Sequence, residues 1–232
     1  MRKGVTIVTY VVIPAKSFQG AKQRLAAVLR PHERLALARA TLTDTLTACM
    51  QATGLAGVGV VTCDDEVAAV AEALGAEVLW EPQARGHSQA VAFGVQMCRQ
   101  RGIPAMLTIP GDLPLITAAD VQAIAAAPQP PVPVVLVPNR DDSGTNAVRL
   151  SPPDCLPLAF GDDSFQRHLR LAAARHLAVA VRRRPRVALD IDTPEDLALF
   201  VARHTPCHSW QVLVALGVLN RLSEAFVPPL RE

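Results

Sequence analysis

Aromatic residues are scarce in this chain of 232 residues, at 4% of the total with a single tyrosine. A core must therefore be built from alanine, valine and leucine. With 50% apolar and 19% charged residues, the composition is that of a folded rather than a disordered chain. An excess of one charge is also missing. The formal net charge of +2 is too small to imply nucleic acid as a partner, so acids and bases carry meaning only locally. Cys-x-x-Cys spacing does not occur, and Cys49, Cys63, Cys98, Cys155 and Cys207 make an odd set. That set suits neither a disulfide framework nor a zinc ribbon, and fits a reducing, cytoplasmic compartment. His204, Cys207 and His208 form a close ligand-type group without further ligands beside it, and read as a chance cluster. No apolar run approaches the roughly 20 residues of a membrane span. The run at 5–12, behind Arg2 and Lys3, is short and β-branched and continues into Pro14 and Lys16, which argues for a first buried strand rather than a signal peptide.

What is present is an alternation of strands and helices. A near-continuous β-branched run predicts a strand over 5–13, buried on both faces. Pro31 opens a helical pattern to residue 51, with Leu35, Ala38, Leu42 and Leu46 on one face. Strands are predicted over 58–62, 77–80 and 105–109, with helices over 65–74, where Asp64 can cap, and 88–101. Thr117 caps a further helix to residue 127, with Asp120 as its capping-box acid. Strands at 134–137, 146–150, 178–181 and 187–189 and helices at 164–176 and 194–204 complete the pattern. The proline-rich stretch 128–133 is too short for an interdomain linker. This order predicts an α/β fold: one Rossmann-like domain over 1–204, its mixed, mostly parallel sheet covered by helices on both faces. The remainder, 205–232, is a helical extension. Its apolar helix over 209–226 suits either docking on the domain or a subunit contact in a homodimer.

Two acidic strings follow strands. In Ile109-Pro110-Gly111-Asp112-Leu113-Pro114-Leu115 a hydrophobic strand runs into an acid at its carboxyl end, where ligands of open α/β sheets gather. Such a carboxylate suits Mg²⁺, a hard cation that bridges to phosphates, although an Asp capping a turn reads the same. The second string, from Asp190 to Asp196, places Asp190 and Asp192 two apart, on one side of an extended segment. Two like charges there call for a cation. Thr193 and Pro194 read as a helix start, to which Glu195 and Asp196 belong. A basic loop with Lys16, Lys22 and Arg24 follows the first strand and suits a triphosphate or, equally, a solvated surface. It matches neither a Walker A loop nor a dinucleotide fingerprint.

Taken in order, these strings resemble the 2-phospho-L-lactate guanylyltransferase family of coenzyme F-420 biosynthesis, within the MobA-like nucleotidyltransferases. The marks are V-I-P-A-K, A-K-x-R-L, P-G-D-L-P-L, the G-T-N at Gly144 to Asn146, F-G-x-x-S-F at Phe160 to Phe165, and D-I-D-T-P-E-D. The resemblance implies guanylyl transfer from GTP to the phosphate of a small phosphorylated carboxylic acid, 2-phospholactate, phosphoenolpyruvate or 3-phosphoglycerate, with pyrophosphate released. It implies Mg²⁺ on Asp112, Asp190 and Asp192, with Asp112 and Lys22 catalytic. It also implies Lys16, Lys22 and Arg24 on the triphosphate, and Thr145, Gly161 and Ser164 on the acceptor. Gly86 and Ser88 fall where the family meets the guanine, although the family's G-L-N is here Gly86-His87-Ser88. The segment 161–164 precedes a helix, whose N–H groups favour anions, and Arg167 and His168 are expected to add positive charge there. Asp162 and Asp163 stand where the family has Pro-Gly. A molybdenum-cofactor or sugar-phosphate nucleotidyltransferase is the alternative, although the Gly-rich loop of such relatives is absent. A non-catalytic nucleotide-binding or scaffolding subunit is the alternative of another class.

Overall fold

The computed structural model describes residues 8–128 and 130–226. Its strands are β1 (Thr9–Pro14), β2 (Leu55–Thr62), β3 (Glu77–Trp80), β4 (Ala105–Thr108), β5 (Val134–Pro138), β6 (Thr145–Leu150) and β7 (Val179–Val181). The α-helices are α1 (Pro31–Gln51), α2 (Asp65–Ala73), α3 (His87–Gln100), α4 (Ala118–Ala125), α5 (Ser164–Ala174), α6 (Pro194–Ala202), α7 (His208–Ala215) and α8 (Val218–Phe226). The strands form one sheet in the order β3-β2-β1-β4-β6-β5-β7. All neighbours are parallel except β6, which runs antiparallel to β4 and β5. The mixed, mostly parallel sheet expected from the strand–helix alternation is therefore present.

Both sheet faces are covered, as continuous aliphatic strands require. Val11, Ile13, Val60 and Leu107 face α1, α2 and α4. Tyr10, Val12, Val61 and Met106 face α3. Val134, Leu136, Val148 and Leu150 face α5 on that same side, since Met106 and Leu150 are opposite one another in register. Each such aliphatic side chain, fully buried, contributes roughly 1.5–3 kcal/mol before entropy is counted. Gly94 lets α3 lie close to the sheet: a Cβ there would come within 2.5 Å of Val12 Cγ1.

Predicted caps are in place. Val67 N–H donates to the Asp64 carboxylate at 3.0 Å. Thr117 and Asp120 form a capping box at α4, and Thr193 and Asp196 form another at α6. Several predicted boundaries differ. The expected strand at 187–189 is a turn, in which Val187 and Ala188 donate their N–H groups to Arg184 O. Val187 and Leu189 are buried there without strand partners, so the apolar alternation reflects burial alone. The helices expected to reach His176 and His204 stop at Ala174 and Ala202, because both histidines adopt left-handed φ (54° and 46°) and close the last turn. The single helix expected over 209–226 is two helices, broken at Gly217 with φ 65°. The first strand begins at Thr9, and the part predicted from Val5 lies outside the described residues apart from Val8.

The C-terminal segment docks on the domain. Leu213, Val218 and Leu222 share a core with Leu25, Leu37, Leu197 and Phe200. Asp44 of α1 accepts hydrogen bonds from the backbone N–H groups of His208 (2.8 Å) and Ser209 (2.9 Å) and from the Ser209 hydroxyl (2.6 Å), capping α7 from another helix. Arg221 Nη2 sits 2.8–2.9 Å from both oxygens of buried Glu33. No described helix is long and apolar enough to cross a membrane.

Candidate active site

The carboxyl ends of β1 and β4 meet the beginning of antiparallel β6 at one edge of the sheet, the position where open α/β sheets expose functional groups. Beyond β4 the chain turns through Pro110 and Gly111, clamped on α1. Leu113 N–H donates to Thr45 Oγ1 at 3.1 Å, and a Cβ on Gly111 would come within 2.8 Å of Leu42. Asp112 thereby leaves the sheet at a defined place. The second acidic string lies against the first: Ile191 N–H reaches Asp112 O at 3.4 Å. One oxygen from each of Asp112, Asp190 and Asp192 lies within 4.8 Å of the others.

Lys22 enters this cluster from the basic loop. Its ammonium is 2.8 Å from Asp112 Oδ2 and 3.1 Å from Asp192 Oδ1, and its side chain is 6% exposed. Burial alone would lower the Lys22 pKa, but the two carboxylates outweigh it and raise it, so the residue stays charged. The backbone at Lys22 has φ 55°, a left-handed conformation that costs a residue with a Cβ roughly 1 kcal/mol. Asp190 is pushed up to about 6, first by burial and then by Asp112, against the bond it accepts from Asn146. Three carboxylates against one ammonium leave an excess of negative charge on hard oxygen donors. That set fits a divalent cation such as Mg²⁺.

Two clefts of about 630 Å³ each meet at these acids, with Asp112, Asp192, Pro110 and His87 lining both. The first runs along the loop after β1 and holds Lys16 and Lys22. The second holds Arg24, Gly86, Ser88, Thr145, Gly161 and Ser164. Of the residues tied to the nucleotide by resemblance, Arg24, Gly86 and Ser88 therefore lie with the acceptor group rather than beside Lys16.

A family model for "Guanylyl transferase CofC like" proteins matches residues 9–225. The chain belongs to that family. It is 41% identical over 190 residues to the phosphoenolpyruvate guanylyltransferase of Conexibacter woesei, covering 82% of this chain and 85% of that protein. It is 33% identical to the 3-phospho-D-glycerate guanylyltransferase of Colwellia psychrerythraea, covering 85% and 93%. In fold it is similar to a nucleotide-diphospho-sugar transferase structure from Desulfovibrio desulfuricans, with TM-score 0.73, 15% identity and coverage of 92% and 97%.

The expected site residues of this family member converge on the sheet edge, but two expectations change. His168 adds no positive charge. It is fully buried, and burial first, then Arg167, lowers its pKa to about 4. Arg167 is turned to the backbone oxygens of Ala159 (3.4 Å) and Asp162 (3.0 Å), where it braces the loop. Asp163 pairs with Arg170 at 2.8 Å on the helix surface, whereas Asp162 lines the second cleft. Two contributors were missed. Asn146 donates to Asp190 Oδ1 at 3.1 Å and to Val187 O at 2.9 Å, fixing the half-buried acid. Its place in the G-T-N mark was the available signal. His87 lines both clefts and packs edge-on against Phe160 at 4.6 Å, a contact with no counterpart in local sequence.

Proposed function

We propose that this protein transfers the guanylyl group of GTP to the phosphate of a small phosphorylated carboxylic acid and releases pyrophosphate, a step in coenzyme F-420 biosynthesis. The observation that supports this reading is the convergence of three carboxylates and Lys22 between a cleft on the basic loop and a cleft rich in hydroxyls. The names of the family relatives supply the guanylyl group and the acceptor class: phosphoenolpyruvate and 3-phosphoglycerate, beside the 2-phospholactate of the wider resemblance.

In this reading an acceptor phosphate oxygen attacks the α-phosphorus of GTP, the bond from that phosphorus to the bridging oxygen breaks, and pyrophosphate leaves with the electron pair. The acceptor oxygen is already ionised near neutral pH, so no side chain has to remove a proton. Positioning and charge neutralisation then carry the rate. Lys16 and Lys22 hold the triphosphate in the first cleft, and Arg24, Gly86 and Ser88 reach the nucleotide from the second cleft, beside the acceptor. Thr145, Gly161 and Ser164 hold the acceptor in the second. Asp112, Asp190 and Asp192 would hold Mg²⁺, which when bound would supply positive charge to offset that of the reacting phosphates. Asn146 keeps Asp190 aimed inward.

The test is to incubate the protein with Mg²⁺, each nucleoside triphosphate and each of the three acids, and to identify products by mass. A guanylylated acid with pyrophosphate is the expected result. Tight GTP binding with no pyrophosphate from any acceptor would instead describe a nucleotide-binding subunit.

A further inference from the structure

Among the residues lining the second cleft, Ser88, Thr145 and Ser164 each carry a hydroxyl that stands beside a fixed N–H. Ser88 Oγ accepts from Phe160 N–H at 3.0 Å, and Ser164 Oγ accepts from Thr145 N–H at 3.0 Å. Thr145 Oγ1 lies 3.0 Å from His168 Nδ1, and the direction of that bond is decided at the other side of the ring. There, Nε2 is 3.1 Å from the N–H of Ala159, which can only donate. Nε2 must therefore be unprotonated. The single proton of a neutral imidazole then sits on Nδ1, and Nδ1–H donates to Thr145. Full burial of the ring agrees with the neutral form.

A hydroxyl that accepts from a fixed donor turns its own hydrogen away from that donor. We propose that His168 is a positioning residue for the acceptor: by donating from Nδ1 to Thr145 it turns the Thr145 hydroxyl proton toward the cleft, beside those of Ser88 and Ser164. The result is a wall of O–H donors. Such a wall favours a fully ionised phosphate or carboxylate, with no proton of its own, over a ligand that brings one. His168 itself touches no substrate and acts through Thr145. The inference rests on the reading that this cleft takes the phosphorylated acid.

Two amide substitutions separate positioning from bracing. In His168→Asn the short amide can present an N–H near the place of Nδ1 but nothing at Nε2. In His168→Gln the longer side chain can offer a carbonyl to Ala159 but leaves Thr145 without a donor. The expected result is a KM for phosphoenolpyruvate, or whichever acid the wild type uses, held within about threefold by Asn. Gln should raise it about tenfold or more, the range for a weakened hydrogen bond to a charged group. The KM for GTP should be unchanged in both. In a Thr145→Val background, His168→Gln should add nothing further. The reverse order, with Gln normal and Asn impaired, or an added effect without the Thr145 hydroxyl, would show a brace for the 159–162 loop and overturn the proposal. Nitrogen-15 chemical shifts of the His168 ring give a readout independent of turnover. A protonated Nδ1 and a bare Nε2 at neutral pH are expected, and the opposite tautomer overturns the inference even if the enzyme is active. If no acid yields pyrophosphate with wild-type protein, the functional reading falls, while the ring tautomer still decides the geometry.

Discussion

Asn146 and Asp190 are 3.1 Å apart, amide to carboxylate, and this pair ties the antiparallel strand β6 to the acidic segment that follows β7. A half-buried carboxylate among two others would otherwise turn toward solvent. The same amide also holds Val187 O at 2.9 Å, so a single side chain fixes both the acid and the turn before it. Removing it should disorder the acid without removing its charge. Asn146→Ala is expected to lower pyrophosphate release roughly 10–100-fold, the range seen when a partner behind a metal ligand is lost. Steady-state kinetics as a function of Mg²⁺ concentration check this, and an unchanged metal dependence would remove Asn146 from the site.

The acids themselves should matter far more to turnover than to folding. Asp112→Asn and Asp192→Asn are each expected to cut Mg²⁺-dependent pyrophosphate release about a thousandfold, consistent with several kcal/mol of lost charge stabilisation. Each also relieves repulsion within the cluster while Lys22 keeps one partner, so the melting temperature should hold or rise. Near-normal turnover in both variants would sink the assignment.

Asp44 offers a prediction about stability alone. It lines neither cleft and caps α7 through two backbone N–H groups and a hydroxyl. Asp44→Ala leaves the buried Ser209 without these partners and should cost about 2–4 kcal/mol. Urea unfolding would show a lower midpoint, with turnover retained at low denaturant. An unchanged midpoint would mean that Leu213 and its apolar neighbours hold α7 without the cap.

His168 sets a pH dependence. The unfolded chain takes up a proton on this residue near its ordinary value of 6.5, whereas the folded protein resists doing so until about 4, because the ring is buried and faces Arg167. The stability it contributes is therefore fully present above about 6.5 and is lost as the pH falls toward 4. The whole effect amounts to roughly 3 kcal/mol. Glu33 works in the same direction: burial opposes its ionisation, but bonds from Arg30 and Arg221 outweigh it and lower its pKa, so it too loses stability on acidification. Unfolding curves for wild type and His168→Gln across that range should converge at acid pH. Parallel curves would show that protonation of His168 is not felt by the fold.

Much of the fold was legible because its causes are local. The β-branched run of β1, the Thr117–Asp120 and Thr193–Asp196 boxes and the Pro31 helix start each depend on neighbours within a few positions. The capping box also explains how the acidic string divides: Asp196 bonds Thr193 at the helix start, whereas Asp190 and Asp192 face Asp112. The turn at 187–189 was misread because Val187 and Leu189 are buried as core residues, and burial imitates strand alternation when no partner strand can be seen. His168 was misread as a charge because neither the burial of its ring nor the Ala159 N–H facing it has a local signature.

By itself, then, the sequence determined the alternation of elements, the acid that follows β4, the helix start behind Asp190 and Asp192, and the family to which the motifs belong, since each depends on side chains close in the chain. Tertiary structure alone decided how those acids are used. Lys22 finds its carboxylates 90 and 170 positions away, and Asn146 finds Asp190 across 44. Only the antiparallel insertion of β6 brings Thr145 and Asn146 to the edge where β1 and β4 end. Contacts at such separations follow from strand order and helix packing, and no periodicity along the chain encodes them.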